Sequence, residues 1–257
     1  MCGIFGFALK TPIAVENVFR LLEKLETHQY PTEPKPVGGY GAGIAVLKEN
    51  GEVVLEKVGS INGSPVKRLS EIFGLEEASV LIAHVRMPSP QFMASTSFRE
   101  TAQPYIAKCN PNLTIISAHN GSVTNYKEIR KALKMHSFES EKVELIDSEV
   151  IPHLFEKLLT EKTDVNDALN ALFSSLEGPS ALSLLHVEKT RVLLHFLHKE
   201  KTRGLHVWIN GQGEVFFCSR NELLVEVFGD ILTQGKFERK VAVAYREDAS
   251  LKLSLTI

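Results

Sequence analysis

The chain has 257 residues, 44% of them apolar and 23% charged, with a formal charge of −2. That length buries a substantial core, and the balanced charge without a basic stripe argues against a protein that binds nucleic acid by neutralising phosphates. Cys2, Cys109 and Cys218 are far apart and form no C-x-x-C pair, so neither a disulfide framework nor a zinc knuckle is expected, and no metal or cofactor is.

The first ten residues are too short for the apolar region of a signal peptide and follow no basic segment. No apolar run approaches the roughly 18 residues that would cross a bilayer. The expectation is a soluble, cytoplasmic protein with no membrane partner.

The chain opens Met1-Cys2-Gly3-Ile4-Phe5-Gly6. Removal of Met1 would leave Cys2 with its thiol and a free α-amino group on one residue. A thiolate is a strong nucleophile, and an α-amine with a reference pKa of about 7.7–8.0 is suited to act as base near neutral pH. Ile4, Phe5 and Phe7 predict a buried strand over Cys2–Leu9 that fixes this terminus. Beyond Pro12, the spacing of Val15, Val18, Phe19, Leu22 and Leu25 predicts a helix. Residues 28–39 are rich in proline and predict a loop.

Tyr40–Leu47 and Val53–Leu55 read as an antiparallel hairpin about the Asn50-Gly51 turn, with glycines in the first strand where something approaches closely. A short helix over Val66–Phe73 and a buried strand over Ser79–Arg86 follow. Met87–Tyr105, with three prolines and several hydroxyl residues, predicts a long ordered or functional loop. Leu113–Ala118 predicts a strand, and Asn125 or a neighbour starts a helix through Leu133. Two further helices are expected over Val150–Leu159 and Val165–Leu176. From Ser180 onward strands dominate: Ala181–Val187, Val192–Leu197, Leu205–Ile209, Val215–Cys218, Val241–Tyr245 and Leu251–Ile257, with a helix at Asn221–Val227. Grouped elements and hairpin turns such as Gly211-Gln212-Gly213 predict two antiparallel sheets packed face to face, helices outside, in one domain.

Four stretches carry candidate chemistry. Ala83-His84-Val85-Arg86 ends a strand with a guanidinium, the side chain best shaped to clamp a carboxylate. His119-Asn120-Gly121 offers a side-chain amide beside a glycine N–H, a pair of oxyanion donors, although Asn-Gly is also a common turn. Asp147-Ser148-Glu149 precedes a helix; Asp147 or Ser148 can cap it, and Asp147 can equally present a carboxylate to an ammonium group. Thr101-Ala102-Gln103-Pro104-Tyr105 adds polar groups nearby.

Taken in order, Met1-Cys2-Gly3-Ile4-Phe5-Gly6, Ala83-His84-Val85-Arg86, Gln103-Pro104, His119-Asn120-Gly121 through Tyr126, and Asp147-Ser148-Glu149 resemble the glutaminase domain of class II glutamine amidotransferases. The resemblance runs from Cys2 to about Leu158 and continues more loosely through Glu177–Ala181 and Val215–Ser219. It implies the N-terminal-nucleophile hydrolase fold, an α+β four-layer αββα sandwich of two antiparallel sheets, over residues 1–257 as one glutaminase domain. It further implies that Cys2 attacks the carboxamide of glutamine with its own α-amine as base. Asn120 and the Gly121 N–H would hold the oxyanion, Arg86 the α-carboxylate and Asp147 the α-ammonium. The ammonia would pass to a separate synthase subunit, since no acceptor domain follows before Ile257. Hydrolysis of another γ-glutamyl amide or peptide, or a non-catalytic glutamine-binding regulatory role, are the alternatives. Met87 stands where members often have Trp or Tyr, and Ala102-Gln103-Pro104 replaces the usual Asn/Ala-His-Pro.

Overall fold

The computed structural model describes residues 2–162, 164–188 and 191–257. Its strands are β1 (Gly3–Ala14), β2 (Gly41–Leu47), β3 (Val53–Gly59), β4 (Glu77–Val85), β5 (Tyr105–Ala107), β6 (Leu113–Gly121), β7 (Ser180–Glu188), β8 (Arg191–Lys201), β9 (Leu205–Ile209), β10 (Val215–Cys218), β11 (Glu238–Val243) and β12 (Asp248–Thr256). The helices are α1 (Val15–Thr27), α2 (Pro65–Ile72), α3 (Tyr126–Ala132), α4 (Val150–Glu161), α5 (Val165–Ser175) and α6 (Asn221–Gln234).

The alternation in β1 sets the layering. Ile4 and Ala8 face one side, where they meet Ile82 and Phe217 of their own sheet and Ile116, Leu185 and Phe196 of a second sheet. Phe5 and Phe7 face the other side and pack against Val18 and Leu22 of α1 and Leu224 and Phe228 of α6. A strand apolar on both faces is stable only when both are covered. The seven-stranded sheet, ordered β11-β9-β10-β1-β4-β2-β3, therefore lies between the helix layer α1, α2, α6 and the five-stranded sheet, ordered β12-β8-β7-β6-β5. Helices α3, α4 and α5 cover the outer face of that second sheet through Ile129, Ile151, Phe155, Leu169 and Leu172. Every strand pair is antiparallel, so the expected αββα sandwich is the fold.

The β2–β3 hairpin has the register expected of its Asn50-Gly51 turn, Leu47 opposite Val53. Three elements differ from expectation. Strand β1 runs past Leu9 to Ala14, because its pairing with β4 resumes at Ile13 after an irregularity that leaves Pro12 outside the ladder. Helix α6 runs past Val227 to Gln234, since Phe228 and Leu232 continue its buried stripe through Gly229. The three-residue β5 begins at Tyr105, the last residue of what reads as loop.

The loop over residues 28–39 is held by charge. Glu33, 4% exposed, pairs with Arg203 between β8 and β9 and with Arg220 before α6, whose Nη2 lies 2.5 and 2.6 Å from its two carboxylate oxygens. Tyr30 lies over the Arg220 guanidinium at 3.9 Å and Tyr245 over that of Arg203 at 5.3 Å. Burial and the neighbouring Arg220 lower Arg203 to about 10. Glu33→Gln would keep the volume and leave two buried cations with no anion, so it should destabilise the fold by about 3–5 kcal/mol. A urea midpoint equal to wild type would show that the carboxylate does not hold this corner together.

Candidate active site

Cys2 precedes β1 at the centre of the seven-stranded sheet, and the strands on either side position it. Gly3 lies opposite Val85 at the end of β4, so the residues just past β4 come level with the thiol. The Met87 N–H donates to Cys2 Sγ at 3.3 Å and the thiol donates to the Met87 carbonyl oxygen at 3.3 Å. On the β10 side the Ile4 N–H donates to Ser219 Oγ at 3.2 Å. Cys2 itself is half-buried, whereas Cys218 is fully buried and its thiol is pushed up to about 12 by desolvation. Of these two thiols only Cys2 is placed to react. Met1 lies outside the described residues, and with it the question of its removal.

Asn120 and Gly121 close β6, not a turn. The ladder with β7 continues to Asn120 opposite Ala181 and Gly121 opposite Ser180, and this pairing overrides the turn preference of Asn-Gly. Gly121 has φ +146, and a Cβ there would collide with the Pro179 carbonyl oxygen, so the position demands glycine. Asn120 is fully buried, and neither its side-chain oxygen nor its nitrogen has a hydrogen-bond partner. An unpaired buried amide costs about 1–3 kcal/mol, which a fold tolerates where the group has work to do.

Cys2 and Gly121 line one cavity of about 240 Å³. Its wall also holds Lys201, Arg203 and Arg246, from the turns after β8 and β11, and no acidic residue. Arg86, Asn120 and Asp147 do not line this cavity, and all three are buried. They still belong to one electrostatic neighbourhood: burial lowers the Arg86 guanidinium, while Tyr105, Cys2 and Asp147 act to raise it.

Arg86 is held at both ends. Its backbone bonds to Gly41 and Tyr40 flank the start of β2, and its Nη1 donates to Thr101 Oγ1 at 2.5 Å. The Thr101 hydroxyl in turn donates to the Ser95 carbonyl oxygen at 2.7 Å. The segment between β4 and β5, expected as a long loop, is thus an ordered cover with two short 3-10 turns, tied down on the guanidinium. It crosses β2 where Gly43 leaves room: a Cβ at Gly43 would collide with the Gln103 backbone.

Gln103 is structural. Its side-chain oxygen accepts the His119 N–H at 2.7 Å and its nitrogen donates to the His119 carbonyl at 3.0 Å. The His119 ring bonds Ser148 at 2.9 Å and Ser180 at 3.2 Å. Desolvation, then the neighbouring His84, hold His119 at about 3, so the ring is neutral and positions the end of β6.

Asp147 does not cap a helix, as its sequence position had suggested, and neither does Ser148. It begins a 3-10 turn ahead of α4, and its Oδ2 accepts the Val123 N–H at 3.0 Å while Ser148 Oγ donates to its Oδ1 at 3.2 Å. Asn125 does precede α3, but its side chain bonds Ser175 and Glu177 instead of capping. The rim residues Arg203, Tyr245 and Arg246 were not anticipated. They sit in turns 43 residues apart at most, with no motif linking them to Cys2.

The family model of the glutamine amidotransferase domain matches residues 93–226, which contain Asn120, Gly121 and Asp147 but not Cys2 or Arg86. The chain is similar to a glutamine–fructose-6-phosphate aminotransferase (isomerizing) of Sulfurisphaera tokodaii, 26% identical over 90% of this chain and 32% of that protein. It is also similar to the enzyme of that name from Bacillus anthracis, 32% identical over 75% of this chain and 28% of that protein. Among solved structures, the allosteric regulatory enzyme of purine biosynthesis superposes with a TM-score of 0.66 at 17% identity, over 98% of this chain and 48% of that one. The glutamine phosphoribosylpyrophosphate amidotransferase of B. subtilis superposes at 0.64 and 17%, over 98% and 49%. The chain thus spans about a third of these curated relatives and half of these solved chains.

Burial raises the Asp147 carboxyl above its ordinary value, against the bonds from Val123 and Ser148. The folded state then holds the proton more tightly than the unfolded chain. The stability this contributes is full below the unfolded pKa and is lost as pH rises through the folded one. Asp147→Asn keeps an acceptor for Val123 and removes the charge, so it should be more stable than wild type at neutral pH. The gap should narrow as pH falls into the carboxylate range. Urea midpoints that differ by the same amount at every pH would rule out this account of Asp147.

Proposed function

The chain belongs to the class II glutamine amidotransferase family, and from that premise we infer that residues 1–257 act as a single glutaminase domain whose nucleophile is Cys2. One observation carries the reading: the Cys2 thiol and Gly121 face the same cavity, and the Asn120 amide next to Gly121 is buried with its hydrogen-bonding groups free.

In this proposal cleavage of the Met1–Cys2 bond frees the α-amine. The amine takes the thiol proton and Cys2 Sγ adds to the carboxamide carbon of glutamine. The oxyanion is stabilised by the Asn120 side-chain N–H and the Gly121 backbone N–H, donors fixed in advance by the β6–β7 ladder. Collapse returns the proton to the departing nitrogen, releases ammonia and leaves a γ-glutamyl thioester. Water then adds and gives glutamate. Arg86 receives the α-carboxylate and Asp147 the α-ammonium. Both are buried, and Arg86 is bonded to the 87–104 segment, so in this reading substrate entry requires the Arg86–Thr101 bond to open. The cationic rim of Lys201, Arg203 and Arg246 supports a substrate that enters carboxylate first.

The ammonia goes, in this reading, to a synthase active site outside these residues. The relatives named above support an amino-group acceptor, being aminotransferases or an amidotransferase by name, each much longer than this chain.

Cys2→Ala should abolish glutamine hydrolysis while retaining glutamine binding by calorimetry; turnover near wild type would end the mechanism. Arg86→Lys preserves charge but loses the planar fork, and Arg86→Ala loses both. The second should cost on the order of 2–5 kcal/mol in kcat/KM, and unchanged constants in both variants would remove Arg86 from the substrate site.

The amine is tested separately. Active protein should have an intact mass lacking Met1, and kcat/KM should rise with pH through the amine pKa, whose reference is about 7.7–8.0. Full activity from a homogeneous sample that retains Met1 would exclude the amine as base.

A further inference from the structure

On the far side of the five-stranded sheet from Cys2, four potential ligands converge. Cys109 lies in the turn between β5 and β6, His136 in the segment after α3, and His153 and Glu156 one turn apart on α4. One ligand atom from each lies within 4.8 Å of every other. His136 Nδ1 is 3.3 Å from His153 Nδ1 and 3.2 Å from Glu156 Oε2, and Cys109 Sγ is 3.7 Å from His153 Nδ1.

These separations match the edges of a metal-centred tetrahedron. Zinc bonds of about 2.0–2.1 Å to nitrogen or oxygen and about 2.3 Å to sulfur give edges of about 3.3 Å between nitrogens or to oxygen, and about 3.6 Å from nitrogen to sulfur. His153 Nδ1 is the shared hydrogen-bonding partner of both Cys109 Sγ and His136 Nδ1. Glu156 is 1% exposed and its Oε2, despite lying near His136, has no hydrogen-bond geometry to any partner. The arrangement around them is built: Glu156 Oε1 accepts the Asn110 N–H at 2.8 Å, and Phe138 packs on the His153 ring at a centroid distance of 4.2 Å. An oriented outer contact of this kind is what fixes a ligand for a metal.

We propose that Cys109, His136, His153 and Glu156 form a structural Zn²⁺ site with all four positions taken by protein. A thiolate and a carboxylate balance the two charges of the ion, so the centre is neutral, with Cys109 on its exposed side. Two imidazoles, a thiolate and a carboxylate in tetrahedral array favour zinc over the hard cations, which need more oxygen ligands. A metal takes imidazole in its neutral form and cysteine as thiolate, so binding releases the Cys109 proton to solvent. The ion would tie these three segments together at one point, and would clamp α4 directly after the turn that holds Asp147. The site depends on none of the roles assigned around Cys2.

The test uses the full chain, stripped with chelator under a non-coordinating reductant and titrated with Co²⁺. Expected are saturation at one Co²⁺ per chain, the intense visible absorption of a tetrahedral ion, and a thiolate-to-cobalt charge-transfer band, all displaced by Zn²⁺. Cys109→Ser, an exposed position in a turn, should remove the charge-transfer band and weaken binding at least about tenfold, and Zn²⁺ should raise Tm in wild type but not in this variant. His136→Asn should lose the tetrahedral spectrum with its circular dichroism unchanged. Failure of folded wild-type protein to saturate at one ion, or spectra in Cys109→Ser and His136→Asn equal to wild type, would overturn the site.

Discussion

Everything near the thiol depends on the double-sided burial of β1. With Phe5 and Phe7 committed to the helices, and Ile4 and Ala8 to the opposing sheet, a slip of one residue would exchange every side chain between the two cores. The strand therefore has a single register, and Cys2 has a single location at its end. Two further strand ends meet there for the same reason. β4 delivers Arg86 and Met87, and β6, in the facing sheet, delivers Asn120 and Gly121. Packing at positions with no chemistry thus determines where the chemistry sits.

Around that fixed point the molecule accumulates costs that packing has to offset. Asn120 has an unpaired buried amide, Asp147 a buried carboxylate and Gly121 a backbone conformation closed to other residues. Arg203 and Arg220 share one carboxylate. None of these arrangements is what stability alone would favour. None of them belongs to the three large apolar clusters, two beneath the helix layers and one between the sheets. That separation is the pattern expected where a rigid scaffold carries a preorganised site.

How much of this could be read in advance depends on how local each signal is. The amphipathic spacing of α1, the hairpin at Asn50-Gly51 and the apolar runs of the central strands are written in neighbouring residues, and they identify the layers. Cys2, Arg86, Asn120, Gly121 and Asp147 emerge from the order of their motifs. Local chemistry points two ways at positions where a distant partner outweighs a local preference. Asn120-Gly121 has turn chemistry but pairs with β7, and Asp147 has cap chemistry but bonds Val123. Glu33 and Arg220 are 187 residues apart and leave no local trace, and the same holds for Cys109 and the ligands clustered with it.

The neighbours of β1 also impose a schedule. On one side it pairs with β10, and the Ile4 N–H reaches Ser219, 215 residues downstream. During synthesis at about 5–20 residues per second, the second wall of this slot emerges on the order of ten seconds or more after Cys2. Contacts of such long range also close slowly once available. For that interval the start of β1 has only its β4 edge to pair with. The later pairing with β10 closes the other edge beside Ile4. The topology that holds both edges of β1 in the finished protein is also what leaves one of them open while the chain is being made.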